Sequence, residues 1–132
     1  MEEAIRDLLL GDSGVSTLAR DRVNFGSNPQ GAGYPAVVLF VISEQQRTNL
    51  DGLDGIASAR IQVNCIGGTY GAAKQLSRAV RSTLSGYFGG ALQGVFYASM
   101  REGREGGANE PERPFHVSLD FIVKYTTQEA QR

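Results

Sequence analysis

The chain has 132 residues, a length that suits one domain with one hydrophobic core. Its composition, 41% hydrophobic and 20% charged with 17 glycines, is typical of a globular protein rich in loops and excludes collagen-like, coiled-coil and disulfide-scaffold proteins. Thirteen basic and fourteen acidic side chains give a net charge of −1, which disfavours tight, sequence-independent binding to DNA.

The longest apolar run, residues 36–42, is far shorter than the roughly twenty residues that cross a bilayer as a helix. The N-terminus is acidic and amphipathic, whereas a secretory signal begins with basic residues and continues with an apolar stretch. We therefore expect no membrane span, and a cytoplasmic product in which the single Cys65 is a reduced thiol.

The N-terminal part is predicted to hold a helix, a short strand and a loop. Apolar residues recur at helical spacing over residues 2–10, and Gly11 follows as a stop signal. Residues 15–19 are predicted to add one more helical turn, and residues 23–25 a short strand. Glycine, asparagine and proline in residues 26–33 indicate a loop.

Two strands separated by a polar segment come next. Residues 36–42 are apolar at every position and rich in β-branched side chains, which predicts a central strand covered on both faces. Residues 57–65 alternate between apolar and polar side chains, as in a strand with one buried face. The polar residues 43–56, with two glycines, are predicted to form a protruding connection.

The C-terminal half is predicted to contain a helix and two strands. Thr69 is placed to cap a helix over residues 70–85, whose apolar side chains fall on one stripe. Residues 92–100 and 115–125 are predicted strands, the second with clear alternation. The fourteen residues 101–114 are charged and rich in glycine, and a connection of that length in a small domain is typical of a functional loop.

These elements predict the α+β class. We expect a mixed, largely antiparallel sheet of four to five strands with two main helices packed on one face. The whole chain, residues 1–132, is interpreted as a single domain, because neither an internal repeat nor a linker-like change of composition interrupts it.

The residues that most often carry chemistry are few. His116 falls on the polar face of the last strand and is predicted to be solvated or hydrogen-bonded at the surface. Cys65 shares the apolar face of its strand and is predicted to be buried. One cysteine and one histidine are too few for a structural zinc site, and no nucleophile is paired with a base, so we expect neither an enzyme nor a bound metal or cofactor.

Two loops resemble ligand-binding motifs only in part. Residues 26–33 have two glycines at phosphate-loop spacing but lack the lysine and the serine or threonine that would hold phosphate and magnesium. Asn49, Asp51 and Asp54 lack the ligand spacing and the closing glutamate of a calcium loop, so a turn with local side-chain hydrogen bonds is favoured.

A basic helix face is the first candidate binding surface. Lys74, Arg78 and Arg81 lie at positions i, i+4 and i+7, and residues 70–85 contain no acidic side chain. This face is either a solvated surface or a docking site for an acidic neighbouring chain.

The charged connection 101–114 is the second candidate surface. Basic and acidic side chains are mixed along it, and such a mixture suits a hydrated protein interface better than a phosphate backbone. The charged residues singled out here are Arg101, Glu102, Arg104, Glu105, Glu110, Glu112 and Arg113.

Four segments in this order resemble the tail-completion or tail-terminator family of long-tailed phages and gene transfer agents. They are the apolar strand AVVLFVIS, the loop NLDG at residues 49–52, the strand ARIQVNC at residues 59–65, and TYGAAKQLSRAVRSTLSG at residues 69–86. The resemblance extends over most of the chain, from the first helix through the final strand FHVSLDFIVKY.

The resemblance implies a structural virion protein, assembled in the host cytoplasm, that forms a ring, of six copies, at the head-proximal end of the tail tube. The ring would end polymerisation of the major tail tube protein, meet the head–tail connector or stopper, and let DNA pass without tight binding. Lys74, Arg78 and Arg81 would then dock a neighbouring subunit or the tube, and loops 44–56 and 101–114 would lie on the ring faces. A stopper or neck protein is the close alternative, and a ligand-binding regulatory domain with residues 26–33 at its pocket mouth is a more distant one.

Overall fold

The computed structural model describes residues 1–29, 31, 33–49, 52–104 and 114–126, and for residues 46–49 and 52–55 it describes the backbone alone. Within these ranges three helices and five strands follow one another. They are α1 (Glu2–Gly11), α2 (Ser13–Ala19), β1 (Val23–Phe25), β2 (Ala36–Asn49), β3 (Gly52–Gly67), α3 (Tyr70–Leu84), β4 (Leu92–Arg104) and β5 (Phe115–Thr126).

The described strands form one sheet in the order β1-β2-β3-β5-β4. β1 runs parallel to β2, and the three other neighbouring pairs are antiparallel. The predicted class, α+β with a mixed and largely antiparallel sheet, is therefore confirmed. The short strand at residues 23–25 is confirmed as well, and it lies at one edge of the sheet.

The helices cover one face of this sheet, which we call the helical face. Asp12 caps α2 by accepting a hydrogen bond from the Val15 N–H, and Thr69 caps α3, as predicted, by accepting one from the Ala72 N–H at 3.1 Å. Buried side chains from all three helices meet the sheet in one core. None of the described helices has the length and apolar character needed to cross a bilayer.

Gly67 allows α3 to lie close to the end of β3. A Cβ atom at this position would lie 2.6 Å from the backbone nitrogen of Ala73, a distance that non-bonded atoms do not adopt. The glycine is therefore required by the close approach of helix and strand.

Residues 43–49 and 52–56 belong to strands, so the prediction that residues 43–56 form a connection between two strands is wrong. β2 and β3 continue through this segment as one antiparallel hairpin, in which Glu44 pairs with Ala59 and Asn49 pairs with Gly52. The segment is polar because the far end of the hairpin has no core to cover, so it lacks the apolar alternation by which a strand is recognised in a sequence. Backbone pairing, rather than side-chain burial, makes it a strand.

β4 is longer than predicted for the same reason. It continues past Met100 to Arg104, which pairs with Phe115 of β5, so the first four residues of the predicted connection 101–114 are strand. Polar side chains are tolerated here because β4 is an edge strand with access to solvent. Residues 105–113 lie outside the described part of the chain.

β2 is covered on both faces only at its beginning. Val37 and Leu39 point into the core under the helices, and Val38 on the opposite face is also buried. Farther along the same strand Phe40 is 37% exposed and Ile42 is 52% exposed. The prediction of two covered faces is therefore corrected: β2 lies between β1 and β3 over its first residues, and its second face opens to solvent after Val38.

Candidate assembly surfaces

The three predicted basic residues of α3 make different contacts. The Lys74 Nζ donates a hydrogen bond to the Glu102 carboxylate on β4 at 2.7 Å. The Arg81 guanidinium lies 3.9 Å from the centre of the Tyr97 ring, also on β4. Arg78 lies between them on the same helix face, is exposed, and has no carboxylate partner among the described residues.

The Lys74–Glu102 pair changes the acidity of both groups. The hydrogen bond to Glu102 raises the pKa of Lys74 above its ordinary value. Hydrogen bonds from Lys74 and then from the Tyr70 hydroxyl lower the pKa of Glu102 below its ordinary value. The carboxylate is therefore held in its charged form at the start of α3.

A shallow hollow of about 220 Å³ lies next to this pair, where α3 begins and β4 ends. The Tyr70 and Phe115 rings meet edge to face, with centroids 6.0 Å apart, and the Arg104 guanidinium lies 4.4 Å from the centre of the Phe115 ring. Glu102 and Gly103 complete the lining. The predicted interface residues Glu102 and Arg104 are thus placed beside the basic face of α3.

The sheet face without helices, which we call the open face, carries a polar network. The Asp120 carboxylate accepts a hydrogen bond from Arg60 at 2.8 Å and lies 3.6 Å from Arg101, and its side chain is only 6% exposed. Beside it, the Asn64 side-chain oxygen accepts hydrogen bonds from Gln62 and Ser118. Arg101, predicted to lie in a loop, lies instead on strand β4 and faces Asp120, and its role at an interface stays a prediction.

Sequence reasoning did not find Asp120 or Arg60 as partners. The two residues are 60 positions apart, and they meet because β3 and β5 pair with Gln62 opposite Asp120. Their positions on the polar faces of two alternating strands were visible, but the register that aligns the strands is a tertiary property.

Exposed apolar side chains lie on β2 beyond its pairing with β1 and on the edge strand β4. Phe40 and Ile42 lie on β2, and Phe96 and Met100 lie on β4, with exposed fractions between 37% and 52%. The sequence offered a signal for β2, where the apolar run 36–42 continues to its end. Where such groups form one contiguous patch, they mark a surface that binds another protein.

The remaining predicted residues are placed only in part. Asn49 and Asp54 lie at the tip of the β2–β3 hairpin, where the backbone alone is described. Asp51, Glu105, Glu110, Glu112 and Arg113 lie outside the described residues.

Cys65 and His116 both lie on strands of the sheet and are at least half-buried. Cys65 is fully buried, as predicted, and burial raises the pKa of its thiol. His116 lies half-buried on the open face, opposite Gly103. Across the described ranges, no three histidine, cysteine, aspartate or glutamate side chains converge as metal ligands would.

Comparison with known proteins agrees with the resemblance seen in the sequence. The tail completion protein gp17 family matches residues 3–126. A chain from a solved structure described as the virion of a native gene transfer agent particle has a similar fold, with a TM-score of 0.73 at 18% identity. The alignment covers 96% of this chain and 95% of that chain. No curated protein matches the chain. Because the family match extends over nearly all the residues, the chain belongs to the tail completion protein gp17 family, a family of structural proteins of the phage tail.

Proposed function

We propose that copies of this chain form a ring, of six subunits, that ends the tail tube at its head-proximal end and joins it to the head connector. The observation that carries the proposal is the family match over residues 3–126, which includes every described strand and all the described helices apart from Glu2, the first residue of α1. The surfaces described above support it, because the exposed groups suit contacts with other proteins rather than catalysis.

A ring requires two different surfaces on each subunit, because each copy contacts the next in a head-to-tail manner. The sheet supplies two unlike sides, one formed by β1 and β2 and the other by β4. Lys74, Arg78 and Arg81 are proposed to dock a neighbouring subunit or the tube from the β4 side.

The two ends of the long strands are proposed to form the ring faces. The tip of the β2–β3 hairpin extends beyond the described part of β5, which ends at Thr126 opposite Ile56. The segment 101–114 begins as strand at the opposite end of the sheet, where Arg104 pairs with Phe115, and residues 105–113 lie outside the described part of the chain. We propose that each end of the sheet meets one neighbour along the tail axis, the tube or the connector.

Passage of DNA through such a ring is compatible with the charges. The net charge is −1, and several cations are already engaged: Lys74 with Glu102, Arg60 with Asp120, and Arg81 with the Tyr97 ring. Strong binding to phosphates requires many accessible lysines and arginines, which would hold the genome back.

Deletion of the coding sequence from the phage or particle genome tests the proposal. Electron microscopy should show tails of irregular length and DNA-filled heads without tails, and expression of the intact chain in trans should restore joined particles. Normal infectious particles from the deletion would overturn the proposal. Unattached tails of normal length would overturn the role in ending the tube and favour a stopper.

A further inference from the structure

On one side of the subunit the solvent-exposed face of α1 is acidic, and the nearby Arg22 binds the Pro35 carbonyl. α1 lies beside β1, where the Arg6 Nε donates a hydrogen bond to the Val23 carbonyl at 2.7 Å. The Ile5 and Leu9 side chains of α1 are buried, whereas Glu3 and Asp7, four residues apart, are exposed to solvent. We call this the acidic side.

The opposite side of the subunit is basic on its helix layer. α3 packs over β3, β5 and β4, and two of its side chains, Lys74 and Arg81, contact β4. Arg78 projects between them and has no carboxylate partner in the described part of the chain. We call this the basic side.

Both sides also expose strand backbone. β1 covers β2 only as far as Leu39, and from Phe40 to Gln45 the outer edge of β2 has no strand partner among the described residues. On the other side, Gly86 and Tyr87 bond to Val95 of β4, and past Val95 the outer edge as far as Gly103 is likewise without a described backbone partner. Open edges of this kind readily pair with another chain.

Apolar side chains accompany each open edge. Phe40 and Ile42 are exposed on β2, and Phe96 and Met100 are exposed on β4. Phe88, the most exposed aromatic residue described, follows α3 in the segment that pairs with β4. Each side therefore combines an apolar centre with charges on the flanking helix, which is the general composition of protein interfaces.

We propose that the acidic side of one copy binds the basic side of the next copy, with Glu3 and Asp7 of one subunit facing Arg78 of its neighbour. This inference rests on the proposed ring and names the surfaces that close it. A second copy is the occupant because the two sides are complementary in charge and each exposes an apolar pair. β2 and β4 also run in opposite directions, so copies related head to tail would bring the edges together antiparallel.

The same charges disfavour a two-fold symmetric dimer through either side. A two-fold contact joins identical surfaces, and it would place acidic residues against acidic residues or Arg78 against Arg78. Like charges in contact oppose association, so the geometry favours a head-to-tail series that closes into a ring.

Charge exchange between copies tests the inference. In one variant, Arg78→Glu places an acidic residue between Lys74 and Arg81 on the basic side. In a second, Glu3→Lys combined with Asp7→Lys makes both sides basic. Ring formation is measured by native mass spectrometry and by electron microscopy, both in solution and on tail tubes built from the matching major tail protein, so that assembly on the tube is also detected.

Each variant alone should lose rings, with the concentration needed for assembly rising about tenfold or more, because a like-charge contact replaces an opposite-charge contact at every interface. A one-to-one mixture should restore rings, and these should contain the two variants in alternation and an even number of copies. Raising the salt concentration should weaken the wild-type ring.

Lys124→Glu is the matched control, because Lys124 is exposed on β5, which lies inside the sheet and away from both sides. It should leave ring formation unchanged, and circular dichroism should show that all the variants are folded.

If wild-type rings form but the variants form rings equally well, or the mixture forms none, this interface is wrong and the proposed function stands. If the folded wild-type chain forms no ring in solution or on tubes, the proposed function is overturned and this interface falls with it.

Discussion

The two faces of the sheet are built from alternate residues of the same strands, yet they are stabilised in different ways. On the helical face, Val63 pairs with Leu119, and both are buried under the helices. One residue away on the open face, Gln62 pairs with Asp120, whose buried carboxylate binds Arg60. The helical face depends on apolar area, which many similar side chains could supply, whereas the open face depends on specific polar partners.

The buried residues of the helical face stabilise the fold, whereas exposed residues are the ones available for assembly. The core side chains of the helical face are closed within the subunit and are unavailable to other proteins. The open face and the sheet edges hold the exposed aromatic and charged groups that a partner can reach. We therefore expect substitutions of buried residues on the helical face to lower the free energy of unfolding more than substitutions on the open face.

The largest effect is expected from Phe121→Ala on the helical face. Phe121 is fully buried and packs edge to face against Tyr97, so truncation should lower the free energy of unfolding by about 3–5 kcal/mol. Phe96→Ala, on the open face of the neighbouring strand, should cost about 0.5 kcal/mol or less because that ring is half exposed. Urea denaturation of both variants measures the contrast, and equal losses would contradict it.

An intermediate effect is expected from Asp120→Asn. The substitution keeps the shape but removes the charge that accepts the Arg60 hydrogen bond, so we expect a loss of about 1–3 kcal/mol. A double-mutant cycle with Arg60→Gln measures the coupling by urea denaturation. Additive losses in the cycle would show that the pair contributes nothing and that the open face is merely a solvated surface.

The smallest effect on stability is expected at the Lys74–Glu102 pair, which is best followed by measuring the pKa of Glu102. The pKa of Glu102 is lowered in the folded chain, so the contribution of its carboxylate is present above the unfolded pKa and is lost as the pH falls through the folded value. The pKa of Lys74 is raised, so its contribution is present below the ordinary lysine value and is lost as the pH rises through the folded value.

Lys74→Gln should therefore raise the pKa of Glu102 towards its ordinary value, measured by NMR titration of the side-chain carboxyl carbon. Tyr70→Phe should raise it by a smaller amount, because the tyrosine hydrogen bond is the weaker of the two causes. An unchanged titration of Glu102 in the Lys74 variant would show that the ion pair does not persist in solution.

Periodicity was enough to predict the elements that bury an apolar face. The helices at residues 2–10 and 70–85, and the strands at residues 57–65 and 115–125, agree with the structure within a few residues. Burial of Cys65 and the cap at Thr69 followed from the same local patterns. Periodicity failed at the hairpin of residues 43–56 and at the end of β4, where backbone pairing alone maintains the strand.

The candidate surfaces were predicted only in part. The basic face of α3 could be read from the spacing of Lys74, Arg78 and Arg81, since helix geometry is local. The acid that binds Lys74 is 28 residues away, and its position follows from the packing of α3 against β4.

The amino-acid order alone thus determined the fold class, the main core-forming segments and the family resemblance, because these depend on patterns within short stretches of chain. Only the tertiary structure decided that Asp120 binds Arg60 and that Arg78 is left without a described carboxylate partner. It also decided that α1, with its acidic face, and the basic α3 lie on the same face of the sheet, towards opposite edges. These relations depend on strand register and helix packing, which join residues far apart in the sequence.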